Sequence, residues 1–395
     1  MNKAWPAVPL CEVAAPVQRS VAVVPGNSYR TLGVKWWGEG AYERDTIDGS
    51  QTAATTLNEV QEGDLIINKI WVRHGSVAVA GPEVQGCAGS NEFPTFDLNR
   101  ARVIPRWLHW YAKTRDLWQK CDALSQGTSG KNRIRPEKFL SIEIPLPPLR
   151  EQRRIVAKVE ELAAKIDEAR GIRDNSSLEA AAFLTSEMRQ AFSQRTNYEI
   201  AALQSACSLI VDCLHSNPVY SDEGVPTVRS PDVGWGTLNL AGAMRTSEVE
   251  YQRRTRRAEP LPDNLILVRE GGGTGKAGIV QDGERCSLGQ RVMMLRVDQE
   301  RVLPKYLLHQ WLSPHIQEEQ LAPVIKGSAS PHLNIKFVRR FNLVLPPLPE
   351  QRRIVAYLDD LQAKVDSLKA LQTQSAAELD ALLPSILDKA FKGEL

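Results

Sequence analysis

The segment LPPLREQRRIVA, Leu146 to Ala157, recurs as LPPLPEQRRIVA, Leu345 to Ala356, displaced by 199 residues with a single mismatch. Chance does not supply such a match. The chain is an internal duplication, and its fold must accommodate the same unit twice. The same displacement carries Leu162, Lys165 and Asp167 onto Leu361, Lys364 and Asp366, and Ala191 with Phe192 onto Ala390 with Phe391. RVIPRWL, from Arg102, meets RVLPKYL, from Arg301, and Asp64 meets Asp263. Each half is a variable region followed by a shorter, more similar one, which divides the chain at 1–145, 146–196, 197–343 and 344–395.

The similar segment has a helical pattern. After the helix-blocking Pro147 and Pro148 comes Glu151, favourable to the dipole, and then Ile155, Val159, Leu162 and Ile166 at spacings of four, three and four. The second copy repeats this with Ile354, Leu358, Leu361, Val365 and Leu368. Such a narrow seam wants another helix opposite it. A rod of about 40 residues is roughly 60 Å long, more than a small domain is wide, so the two rods are natural partners for each other. The alternative is a helix packed on its own domain. Gly171 and GIRDNSS interrupt the first seam and leave room for a kink or break.

The variable regions differ in character. LIINKIWV, SVAVAG, NLILVRE and AGIV are short β-type runs bounded by Gly, Pro and Asp, and helical pieces such as PRWLHWYAKT fall between them. Each region is expected to be an α+β or mainly β domain. At 395 residues, with 42% hydrophobic and 24% charged residues, there is room for two or three ordinary domains. The formal charge of +2 is too small for bulk attraction to identify a nucleic-acid partner, so any such contact has to come from local patches. No run reaches the roughly 18 apolar residues of a membrane span, and the first thirty residues do not resemble a signal peptide, so a cytoplasmic protein without a membrane partner is expected. The six cysteines show no C-x-x-C pair and no zinc spacing, and reduced, structural thiols are expected.

Motifs for chemistry fail on inspection. GGGTGKAG, Gly271 to Gly278, has Glu270 where a Walker A loop needs Gly and Ala277 where it needs Ser or Thr. Its G-x-G-x-x-G spacing is followed by IVQDGE, a strand and turn in place of a helix. A turn between two strands is expected, and Gly75 holds a similar place in the first copy. SNPVY, Ser216 to Tyr220, approaches the motif with which adenine methyltransferases hold a base, but Val219 replaces the second proline and no S-adenosylmethionine loop precedes it. The six histidines form no evident Ser/His/Asp or metal constellation, so no metal site and no catalytic residue is assigned.

What remains is basic and aromatic. Lys35 and Trp36 of KWW, Lys69, Lys131, Arg133 and Arg135 of KNRIRPEK, Arg253, Arg254, Arg256 and Arg257 of RRTRR, and Lys276 are the candidates for phosphate or base contacts. Arg forks match phosphates and guanine edges. The competing reading of each stretch is a solvated loop.

A two-copy chain whose helices begin L-P-P-L-x-E-Q-x-x-I-V resembles the specificity subunit of type I restriction-modification systems. The terminal LDKAFKGEL and the stretch DCLHSNPVYSDEGVPTVRS, Asp212 to Ser230, are similar to the family's usual ending and to the opening of one of its target-recognition domains. The resemblance implies an α+β fold of two target-recognition domains separated by two long antiparallel helices, a coiled-coil spacer with a pseudo-twofold repeat. Each domain would read one half of a bipartite double-stranded DNA site. The chemistry would belong to partners: two methyltransferase subunits using S-adenosylmethionine, and an ATP- and Mg-dependent motor and nuclease subunit. No cofactor is expected on this chain. The readings from other classes are a helical scaffold or adapter that does not read DNA, and a single-chain methyltransferase, for which the sequence holds no catalytic domain.

Overall fold

In the computed structural model, which describes residues 5–125, 132–193, 197–325 and 332–395, two compact units cut across the linear order of the chain. One unit is Met1–Arg173 with Gln372–Leu395, and the other is Asp174–Leu371.

In the first unit the apolar runs of the variable region become short buried strands. Leu65–Ile67 pairs antiparallel with Val77–Val79 on one side and with Thr95–Leu98 on the other, and Ala14–Val17 completes the sheet. A five-stranded sheet runs Ser20–Ala22, Thr56–Glu59, Ala88–Gly89, Ser28–Val34, Ala41–Asp48. The helix Pro105–Tyr111 begins on proline, whose fixed φ suits a first turn. Arg115–Leu124 follows, capped by Thr114, whose hydroxyl accepts from the Leu117 amide. These helices bury Trp107, Tyr111 and Leu117 against Phe96 and Phe139.

The second unit repeats the plan around a five-stranded sheet ordered Cys207–Asp212, Val292–Val297, Leu265–Val268, Ala277–Ile279, Trp235–Gly236. The glycine-rich segment is a turn between two antiparallel strands, with Leu267 opposite Ala277, as Gly75 turns between Ile67 and Val77.

Hydrogen bonds correct the register by one residue in this region. The Asp64 carboxylate accepts from the Gln61 amide and its carbonyl accepts from Ala80 N; the Asn264 side chain and carbonyl accept likewise from Leu261 N and Val280 N. The counterpart of Asp64 is therefore Asn264, and Asp263, at φ 69°, takes the place of Gly63, at φ 89°. A short polar side chain tolerates that left-handed conformation.

The similar segments form helices Leu149–Ala191 and Leu348–Lys392. The first runs through Gly171 and Asp174 without a break, so the interrupted pattern produces no end there. Gly171 is exposed, and a Cβ on it would meet nothing within 4 Å.

In the first unit the start of one helix lies antiparallel to the end of the other: Arg154 reaches the Leu395 carbonyl (2.9 Å), Arg170 reaches Asp380 (2.8 Å), and Gln372 reaches the Arg173 carbonyl (3.1 Å). In the second unit Tyr357 donates to Glu187 (2.6 Å). Ile155 and Val159 lie in one core with Trp107, Leu387 and Ala390, and Ile354 and Leu358 in another with Phe192 and Tyr306. The seam residues near each helix start thus face their own variable region as well as the other helix. Ile166 and Val365 are buried, and Leu162, Leu361 and Leu368 are half-buried.

Two repeated contacts explain why the similar segment is similar. Gln152, fully buried, accepts from Ile104 N and donates to the carbonyls of Arg102 and Pro147; Gln351 does the same with Leu303, Arg301 and Pro346. Each glutamine clips the helix start to the RV-x-P turn, itself repeated. Phe391 packs edge-on against Trp107 (4.6 Å between centroids), and Phe192 against Tyr306 (5.4 Å). Each copy's helix therefore ends in the core of the other copy's variable region.

Candidate nucleic-acid interface

On the first unit, aromatic and basic residues gather around the Gly75 turn. Lys35 leads into the short turn Trp36–Gly38, which is tied down where Gly38 N donates to the Gly75 carbonyl (2.8 Å). Trp36 lies 5.3 Å from Trp71 and 5.4 Å from His74; Trp37 lies 5.0 Å from Trp118. Trp36, Trp37 and Trp71 remain 47%, 46% and 38% exposed, unusual for side chains of this size. Arg73, His74 and Arg115 line the adjoining cavity with Trp37 and Trp118, and the buried Arg73 Nε has no hydrogen-bond partner among the described residues. Lys35 is exposed, 6.0 Å from the Tyr42 ring. Lys69 is half-buried and its carbonyl accepts from Ile134 N. Arg133 pairs with Glu92 (3.0 Å), Arg135 is exposed, and Lys131 lies outside the described residues.

On the second unit, Gly271 and Gly275 take positive φ, and the turn they shape lines a cavity with Tyr220, Arg229, Lys276, Gln290 and Arg291. The loop is held from beneath: the buried Arg269 guanidinium bonds Asp212 and His332, and its carbonyl accepts from Leu333 N. Asn217 of SNPVY is bonded by Gln290, and the Val219 amide donates to Glu250 (3.4 Å).

The RRTRR stretch requires one correction. Arg254 has a fully buried side chain whose nitrogens donate to the carbonyls of Leu288, Ser216 and Leu214, with Glu250 at 3.6 Å. It is a strut of the fold, with no side-chain surface exposed to a ligand in solution. Arg253 is bound to Glu250 (2.7 Å), and this bond holds the Glu250 carboxyl below the usual carboxylate range. Arg256 and Arg257 are exposed.

Trp37 lies within the KWW stretch, but clustered charge gives no signal for Tyr220, Arg229, Arg291, Trp71, Arg73 and Trp118. The detectable signal was the Trp-Gly pair, present as KWWG and again as VGWG. Burial pushes the thiols of Cys121, Cys207 and Cys286 up to about 12, so these are inert core groups. Among the described residues no cluster of three or more His, Cys, Asp or Glu is placed to hold a metal ion, and no helix is long and apolar enough to cross a membrane.

The type I restriction modification DNA specificity domain matches residues 236–376. The type I restriction enzyme EcoBI specificity subunit of Escherichia coli is 27% identical over 281 residues, 64% of this chain and 58% of that protein. The EcoKI specificity subunit of Escherichia coli strain K12 is 26% identical over 313 residues, 74% of this chain and 66% of that one. Over these spans the chain is similar to type I restriction enzyme specificity subunits. The alignments span less than two thirds of these relatives' own length. Two solved structures share the fold: the HsdS subunit from Thermoanaerobacter tengcongensis, with TM-score 0.67 and 24% identity over 100% of this chain and 98% of that one, and a chain from a type I restriction-modification complex, with TM-score 0.75 and 24% identity over 99% and 98%.

Proposed function

We propose that this chain is the DNA sequence-specificity subunit of a type I restriction-modification complex. Each variable region, about 1–145 and 197–343, reads one half of a bipartite double-stranded site. The helical regions, about 146–196 and 344–395, act as an antiparallel coiled-coil spacer that fixes the unread gap and docks two methyltransferase subunits. The chain is not an enzyme by itself. It decides where partners in the cytoplasm methylate adenine with S-adenosylmethionine and cut DNA with ATP and Mg.

The observation that carries this reading is the repeated strand, glycine turn and strand that in both units underlies a surface of exposed tryptophan and cations. Phosphate contacts from Lys and Arg would supply affinity and register, and base-edge contacts the specificity. The duplication copies the geometry of a twofold dimer while letting the two readers diverge. The test is a map of modified adenines in the source genome with and without this gene. A bipartite motif with a fixed gap that loses methylation on deletion is the expected result. An unchanged map, with the methyltransferase expressed and active, would favour a scaffold that does not read DNA.

A further inference from the structure

Trp37–Gly38 in the first unit and Trp235–Gly236 in the second occupy the same place in the fold. Gly38 bonds the turn carbonyl of Gly75 beside the strand Val77–Val79; Trp235 and Gly236 pair with Ala277 and Gly278 of the equivalent strand. Gly38 and Gly236 both take positive φ, 70° and 94°, and both lie against the end of the equivalent helix, at Ala112 and Leu312. In each case the preceding indole stands out into solvent, at 46% for Trp37 and 59% for Trp235. Trp37 is itself held at φ 58°, a left-handed conformation that a bulky residue rarely adopts. The variable regions have diverged almost everywhere else at the surface, yet both retain an exposed indole on a rigid glycine support. In the first unit Arg73 lines one cavity with Trp37, and Lys35 precedes the turn; in the second, Lys276 directly precedes Ala277, the strand partner of Trp235.

A π-face beside positive charge matches a nucleobase beside its phosphate. We propose that the indoles of Trp37 and Trp235 are stacking contacts to duplex DNA, each inserting at one base step of the half-site its unit faces. The proposal rests on the DNA-reading function above and names the side chains through which each unit distorts its half-site. Insertion unstacks a step, so it selects for sequences that open easily as well as for those that are touched.

The test uses the full chain in complex with its methyltransferase subunits and duplexes carrying either the mapped motif or a scrambled one, with 2-aminopurine placed in turn at each step. W235A is expected to weaken binding to the motif about 10- to 100-fold and to abolish the 2-aminopurine emission rise at one step. Binding to the scrambled duplex and its salt dependence are expected to stay unchanged, because no phosphate contact is lost. W235F restores most of the affinity. Trp37 rests on Trp118, so W37F accompanies W37A to separate stacking from packing. Motif affinity and emission unchanged in both W235A and W37A would overturn the proposal while leaving DNA reading intact. A wild-type complex that does not distinguish the two duplexes would overturn the DNA-reading function itself, and this proposal with it.

Discussion

At the scale of single residues, Gln152 and Gln351 show how much one buried side chain fixes. Each satisfies one backbone N–H and two carbonyls with no surface exposed to water. Gln351→Ala strips three backbone groups of their partner and is expected to cost about 2–4 kcal/mol, read as a lower denaturant midpoint at unchanged slope. His109 gives a pH dependence. Burial, reinforced by nearby Lys113 and Arg106, pushes its imidazole down to about 4. The unfolded imidazole takes up its proton near 6.5, so between about 6.5 and 4 the unfolded chain binds more protons, and stability falls as pH falls. The full contribution of the neutral ring is present above about 6.5. His109→Gln is expected to flatten that part of the stability profile by about 1–3 kcal/mol, measured by urea unfolding at a series of pH values. The sequence displayed the glutamines inside the repeated segment but not their partners, because the RV-x-P turns lie about 50 residues upstream. Arg254 misled for the complementary reason: its charge belongs to a run that looks solvated, and only the fold turns it inward.

At the scale of elements, the four-three-four spacing revealed both long helices and their starts at the prolines. The continuity across Gly171 was hidden, because a polar, glycine-containing stretch reads as a break when tertiary support is unknown. With open space around its missing Cβ, Gly171→Ala is expected to raise stability by about 0.5–1 kcal/mol, seen as a higher melting temperature of the full chain. The short strands were legible as apolar runs between turn residues, but their pairing was not. The one-residue shift that equates Asp64 with Asn264 cannot be seen in an ungapped comparison, where Asp64 falls on Asp263 by coincidence. The tryptophan surface around Gly75 draws on Trp36, Trp71 and Trp118, which are brought together only by the fold.

At the scale of the whole molecule, the duplication was the most legible feature, and the exchange of helix ends between copies the least. Nothing in a linear repeat says that Phe391 closes the core around Trp107 while Phe192 closes the one around Tyr306. On the proposed function, four residues inserted into each long helix at matching depths lengthen the spacer by about 6 Å. The mapped motif should then keep both half-sites and gain about two unread base pairs, whereas insertion into one helix alone should abolish the motif.

The Trp5 indole donates to the Ala390 carbonyl (3.1 Å), so the first described residue touches the last turn of the second helix. Trp5 and the end of the second helix are therefore neighbours within the first unit. A permutant in which Leu395 is joined through a short linker to Trp5, and the chain reopened just before Glu199, would keep every contact described for either unit. Native-like melting of the permutant would show that the order of the segments along the chain matters less to this fold than the contacts within each unit.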